Sequence, residues 1–561
     1  MPGGLIQIVA YGAQDLFLTG IPEITFFKYI YKRYTNFAMD FIELTFDGDK
    51  NFGEDISCNI PKDGDLLKDL ILKLTLPNVK LEKNTDNTSI VNTLKSEMLE
   101  KESIYLNFNN FIKYIYESIK IINIGLVNLN ETFSTIQTSI NSYINSDSNY
   151  LSFKNKVSTD IQNMFDIINH LININNISTI NDLEKKILSE TLVNSYISRI
   201  ESVSKIYFDE YIEKKNNYDL SLQNNYDFSW IKNLGYNIIS QVELDIGGNI
   251  IDRQYGIWLY IWNELFENHQ KKNDMNNLHS RKLISYTYNK ESKPQFDIYV
   301  PLKFFFNRDY GLSLPLISLR YQSIILKIKI EKLNNLIYTN YDKNNISNII
   351  KLNNVTLLAN YIYLDQDERS KFAQANHEYL IEQVKYFDYD IIKNKDINIE
   401  LNFNHPIKYY IWTIQNKKDI LNYNLFNNFE SDLSYTLNNK YPTLIKNVGN
   451  PINNAQLQMN GVDRTTNHTG DYYNYITSYE TNINTPADGI NFYSFSLNPN
   501  KIQPSGTCNF SRLSRKNLKL ELNDIFLNRL DSTDHISVKI YYVNYNILRF
   551  SKGLSNLVFN F

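Results

Sequence analysis

Residues 241–252 read QVELDIGGNIID. Val242, Leu244 and Ile246 alternate with Glu243 and Asp245, and the run ends on Gly247-Gly248. Successive side chains of a strand point to opposite faces, so a period of two with one polar face marks a half-buried, usually antiparallel strand. The paired glycines supply the backbone freedom of a tight hairpin turn rather than a phosphate cradle.

Working outward, the same alternation recurs. KDLILKLTLP (68–77) places Leu70, Leu72, Leu74 and Leu76 on one face. IILKIKI (324–330), INIELNF (397–403), LKLEL (518–522) and ISVKIYYV (536–543) repeat it. Strands therefore occupy the chain before residue 80 and again from about 236 to the end. Strands not interleaved with regular helices favour a sandwich or barrel over an α/β fold. The two strand-rich blocks share an echo. GLSLPLISLRYQSIILKIKI (311–330) and QPSGTCNFSRLSRKNLKLEL (503–522) both run from a Gly/Pro loop through Ser and Arg into an alternating strand.

Between 82 and 228 the period changes. Phe108, Phe111, Ile112, Ile115, Ile119 and Ile122 form one stripe at helical spacing. Phe153 to Leu171 carries a second, and Leu188, Leu192, Tyr196, Ile200, Val203 and Tyr207 a third, with Asn181 or Asp182 as a cap. Proline-free and amphipathic, the region predicts an inserted subdomain of three or more helices.

The length of 561 residues suits two sandwiches plus an insertion. Net charge is −4, so the whole chain is no electrostatic nucleic-acid binder and direct nucleic-acid binding is not expected. Cys58 and Cys508 stand alone, which argues against a disulfide framework. MPGGLIQIVAYG lacks a basic n-region, so a signal peptide is not expected, and no apolar run approaches the ~18 residues of a membrane span.

Catalytic and ligand motifs fail on inspection. HEYLI (377–381) begins like a zinc-protease HExxH helix, but Ile381 stands where the second ligand belongs. The seven histidines show no ligand spacing, and His405 in FNHP reads as a turn residue. Asp365, Asp367 and Glu368 read as a solvated charged linker, and Cys508 as an inert thiol. The Asp252-Arg253 and Asp463-Arg464 pairs read as ion pairs that fix loop geometry. No catalytic residue, metal or cofactor is expected.

GGLIQIVAYGAQDLFLTGIPEITFFKYIYKRYTNFAMDFIE (3–43) resembles the amino-terminal signature of major capsid proteins of nucleocytoplasmic large DNA viruses. Collinear blocks continue the resemblance at 242–265, 299–321, 361–383, 401–412, 457–474, 489–512 and 545–557. It implies a mainly β fold of two tandem antiparallel eight-stranded jelly rolls, here with a large helical insertion in the first. It implies a homotrimer forming a pseudo-hexagonal capsomer that tiles an icosahedral shell, assembled in the host cytoplasm. The expected division is an arm at 1–40, a first jelly roll at 41–365 with the insert 82–228, a linker at 366–396 and a second jelly roll at 397–561.

Expected partners follow from the resemblance: neighbouring capsomers, minor capsid proteins and the inner membrane inside, and host or fibre contacts through 82–228. The aromatic arm is expected at the capsomer base, with a short helix starting at Pro22 and Ile24, Phe27, Ile30 and Tyr31 as its apolar side. Phe26, Phe27, Tyr31 and Arg33 are the expected contacts. Gly247, Gly248, Asp252 and Arg253 are expected to fix a hairpin and its neighbour, and Pro504, Gly506 and Arg512 the loops of the second jelly roll. A minor capsid or scaffold paralogue shares all these features. A carbohydrate-active β-sandwich enzyme would need a cleft with paired acids.

Overall fold

A computed structural model describes residues 19, 21–29, 31–81, 88–122, 191–221, 225–268, 270–271, 283–343, 345–438 and 441–559. Eight strands form the main paths of the first sandwich, with the two-residue strand Leu314–Pro315 added beside the third: β1 (Phe37–Thr45), β2 (Asp55–Asn59), β3 (Leu66–Leu76), β4 (Ile239–Ile246), β5 (Asn249–Gln254), β6 (Phe296–Pro301), β7 (Ile324–Ile330) and β8 (Asn354–Leu364). One sheet runs β1-β8-β3-β6 and the other β2-β7-β4-β5, every pair antiparallel. Apart from the β4–β5 hairpin within one sheet, each connection carries the chain from one sheet to the other, which is the winding of a jelly roll.

The second sandwich repeats it. β9 (His377–Ile392), β10 (Asp396–Glu400), β11 (Pro406–Asn416), β12 (Ile452–Met459), β13 (Val462–Asp463), β14 (Asn491–Ser494), β15 (Lys516–Leu522) and β16 (His535–Ser551) form sheets β9-β16-β11-β14 and β10-β15-β12-β13. Each strand of the second roll takes the place of the strand eight earlier in the first. The echo noted in the sequence falls on this equivalence. Both stretches pass through a 3₁₀ turn, at Leu316–Ser318 and Phe510–Arg512, into β7 and β15, the seventh strand of each roll.

Alternation in the sequence becomes alternation in burial. Along β7, Ile324, Leu326, Ile328 and Ile330 are buried while Lys327 and Lys329 are exposed. β11 is buried on both faces. Tyr410, Trp412 and Ile414 enter the core of the second roll, whereas Tyr409 and Ile411 join the core shared with the first. A bulge between Ile407 and Tyr409 shifts the register against β16, so Ile407 joins the even-numbered set.

The insert leaves after β3 as helices α1 (Thr88–Ile122) and α2 (Thr191–Ser221). They lie antiparallel. Lys101 Nζ meets Glu210 Oε2 at 2.8 Å, Lys214 Nζ meets Glu97 Oε2 at 2.9 Å, and Tyr105 stacks on Tyr211. Val91, Met98 and Tyr218 form a small apolar cluster at the base. There Tyr218 Oη donates to Glu291 Oε1 at 2.9 Å, and the Tyr226 amide donates to the Leu81 carbonyl at 2.8 Å. The described residues of the insert form two long helices. The stripe 153–171, Leu188, Asn181 and Asp182 lie outside the described residues, as do the side chains from Phe108 to Ile122 and those of Leu192, Tyr196, Ile200 and Val203.

Three expectations are corrected. The linker expected at 366–396 is a short helix, Gln366–Gln374, followed at once by the sixteen-residue strand β9, so the second roll begins at His377 rather than at 397. Asp365 caps that helix by accepting from the Gln366 amide at 2.7 Å. The first roll starts at Phe37, inside the expected arm, because β1 pairs with β8 from Phe37 onward. Pro22 starts no helix among the described residues: 22–25 carry no regular structure and 26–27 form a turn, while Ile30 lies outside them.

Candidate assembly surfaces

The two rolls are joined by a built seam. The helix Gly256–Phe266, GIWLYIWNELF, follows β5 and is buried on nearly every side. Its rings reach the second roll: Trp258 packs on Tyr541 at 5.7 Å between centroids, and Phe266 on Tyr409 at 5.2 Å. Burying side chains of this size is worth roughly 2–3 kcal/mol each.

Polar groups set the register of that seam. Asp252 on β5 accepts from the Val384 amide on β9 at 2.8 Å and from Gln254 Nε2 at 2.9 Å. Gln383 Nε2 returns a bond to the Ile251 carbonyl. Burial pushes the Asp252 carboxyl up to about 7, against the downward pull of its hydrogen bonds. Nearby, Glu382 is shared by Arg308 of the first roll and Lys408 of the second, the latter at 2.6 Å. Lys408 also donates to the Lys501 carbonyl at 2.7 Å, and Arg308 Nη2 to the Asn500 carbonyl at 3.3 Å. Lys303 pairs with Glu267 at 2.8 Å beneath the Trp262 ring.

The expected residues fall in three places. Gly247 and Gly248, at φ 61° and 85°, make the turn between β4 and β5. Asp252 and Arg253 do not pair with each other. Asp252 turns into the seam, and Arg253 turns outward onto Glu243 across the hairpin. In the second roll, Gly506 has φ 137°, and a Cβ there would collide with the Phe495 carbonyl. Pro504 and Arg512 are both exposed.

The arm residues form a separate group. Phe26, Phe27 and Tyr31 are 90, 98 and 88% exposed, and Arg33 is exposed beside them. The rings therefore do not fold back onto their own roll. Phe37, Met39 and Phe41 extend this apolar surface along the edge strand β1.

His377 opens strand β9, not a helix, and its Nε2 lies 2.9 Å from the Phe372 carbonyl. His405 holds a turn at φ 66° with its amide donating to Ser511 Oγ. Burial raises both thiols, Cys58 to about 11. The seam residues Arg308, Glu382 and Lys408 were not singled out in the sequence, since they lie far apart along the chain.

The profile described as "Major capsid protein N-terminus" matches residues 25–140 and 197–365, and that of "Large eukaryotic DNA virus major capsid protein" matches 368–556. The chain belongs to this capsid protein family. Its boundaries also correct one expectation: the stretch that departs from the family is 141–196, narrower than 82–228.

Among curated relatives, the capsid protein is 28% identical to the major capsid protein of Pyramimonas orientalis virus, with 100% of both chains covered. It is 26% identical to that of Paramecium bursaria Chlorella virus 1, again over 100% of both. Its fold matches the structure titled "PBCV-1 virus capsid, quasi-atomic model" at a TM-score of 0.59, with 22% identity, 96% of this chain and 100% of that chain covered. The Faustovirus major capsid protein matches at 0.59 with 11% identity over 96 and 94%. The fold is therefore the double jelly roll. The protein is a structural component of the capsid of large DNA viruses, not an enzyme.

Proposed function

We propose that three copies of this chain close into a pseudo-hexagonal capsomer and that such capsomers tile an icosahedral shell. The observation that carries this reading is the repetition of one topology in two sandwiches that share a packed core along their seam. Three chains then present six similar sides, which lets one building block meet neighbours around a full hexagon. In this reading the chain divides into an arm, a first roll carrying the helical insert, and a second roll beginning at β9.

The arm lies at the capsomer base, where Phe26, Phe27, Tyr31 and Arg33 contact neighbouring subunits, minor capsid proteins or the inner membrane. Their exposure supports this, because large rings left in water gain by being covered. The helical insert projects outward, toward host or fibre. Assembly takes place in the host cytoplasm.

Light scattering with electron microscopy of the purified full-length protein tests the proposal. Six-sided particles of three chains are expected. A stable monomer, or a ring of any other copy number, overturns it.

A further inference from the structure

A cleft of about 460 Å³ opens between the two rolls on the side of the helical insert. Its first wall is the segment that follows the insert, with Lys232 and Asn237, together with Tyr260 and Tyr338. Its second wall is the connection from β11 to β12, with Asn427, Glu430, Tyr441 and Thr443. Insert and connection are topological equivalents, each joining the third strand of its roll to the fourth.

The cleft is held in shape from behind. Gln415 on β11 donates to the carbonyls of Leu425, Phe426 and Asn428 at 3.2, 3.0 and 2.9 Å, with its own carbonyl taken by the buried Lys539. Asn424 Nδ2 crosses to the carbonyls of Asn334 and Ile337, and Tyr338 Oη donates to the Tyr423 carbonyl at 3.0 Å. The walls are thus tied to each other before anything binds, as pre-formed ligand sites are.

Polar atoms in it lack partners. Both side-chain polar atoms of Asn427, Oδ1 of Asn237 and Oε2 of Glu430 are buried with no hydrogen bond among the described residues. Buried polar atoms are normally satisfied, so a cleft that gathers several unsatisfied ones is shaped for an occupant that satisfies them. The lining narrows the class. A single lysine beside a glutamate is not the cluster of cations that a phosphate or a sulfate needs. Asparagine-rich walls are too polar for a lipid. An asparagine amide offers a donor and an acceptor side by side, as adjacent hydroxyls require, and tyrosine rings offer flat apolar faces with a polar rim.

We propose that this cleft binds a neutral saccharide. That the sugar belongs to a glycan met outside the shell rests on the outward placement proposed above; binding itself does not.

Saturation-transfer NMR on the full-length protein tests it, using free glucose, galactose, mannose, N-acetylglucosamine and their disaccharides at about 10 mM, a level that detects millimolar affinity. Saturation transfer to at least one neutral sugar is expected. Asn427→Ala and Thr443→Val, on different parts of the wall, are each expected to weaken it about tenfold without changing oligomeric state. No transfer to any neutral sugar, binding of only charged probes such as sialyllactose, or full binding in both variants overturns the proposal. Should one variant fail to fold, the other still decides. Six-sided trimers that ignore every sugar would sink the cleft and leave the capsomer standing; sugar binding by a protein that forms no trimer would do the reverse.

Discussion

At the scale of single residues, the seam carries charges that burial makes expensive. Glu382 sets one carboxylate between two cations, Arg308 and Lys408. Removing one member of such a set leaves the others buried and uncompensated, which costs roughly 3–5 kcal/mol. Glu382→Ala is therefore expected to lower the denaturant midpoint sharply. Replacing the trio by Arg308→Met, Glu382→Leu and Lys408→Met is expected to recover most of the loss. Equal damage from both would show that the trio does more than fill the seam.

Asp252 gives a pH dependence of definite sign. Its carboxyl titrates at about 7 when folded, against 3.8 ordinarily. The folded chain thus holds the proton more tightly than the unfolded one. The contribution to stability is complete below about pH 4 and is lost as pH rises toward 7, by at most about 4 kcal/mol. Burial raises Glu430 to about 7 as well, and it acts in the same direction. Asp252→Asn is expected to flatten the fall in unfolding free energy between about pH 5 and 7 measured by urea titration. An unchanged slope would remove Asp252 as the titrating group. None of these residues was legible as a set in the sequence, because a shared carboxylate is a fact of three dimensions.

At the scale of elements, legibility followed the environment of each face. β3, β4, β7, β10 and β15 announce themselves because one face is more deeply buried than the other over several residues, whereas β16 is buried on both faces and shows its period only through Ser537 and Lys539. β9 did not. It buries Ile381, Gln383 and Val384 in the seam but exposes many residues elsewhere, so its pattern resembles a charged connection. The helix Gly256–Phe266 has no amphipathic stripe, since both rolls cover it. β8, buried over most of its length, offers a run without alternation. The insert was legible as helical because an exposed hairpin of helices keeps a polar side. Its independence leads to a prediction. Replacing residues 84–223 by a short Gly-Ser link is expected to leave solubility, melting temperature and oligomeric state nearly unchanged, since both cores lie outside it. Insoluble protein in that deletion would mean the helices support the rolls.

For the whole molecule, the duplication was visible as a faint echo at 311–330 and 503–522 and is complete in the topology. The sequence could not show how the rolls face each other, because the seam joins residues remote in the chain. The arm belongs to this scale, since Phe26, Phe27 and Tyr31 stand exposed on their own subunit. Deleting residues 1–34 is expected to leave capsomer-sized particles intact while abolishing their growth into larger shells, read by light scattering and microscopy. Loss of the capsomer itself would move the arm's role from the lattice to the trimer.

The hydrogen bond from the Tyr226 amide to the Leu81 carbonyl brings the two ends of the insert side by side. They stand at roughly the 5 Å spacing of neighbouring strands. Any foreign module whose own termini meet at that separation can be spliced there without prising the host fold apart. The site is a socket: it accepts cargo by the geometry of its rim, indifferent to what is plugged in.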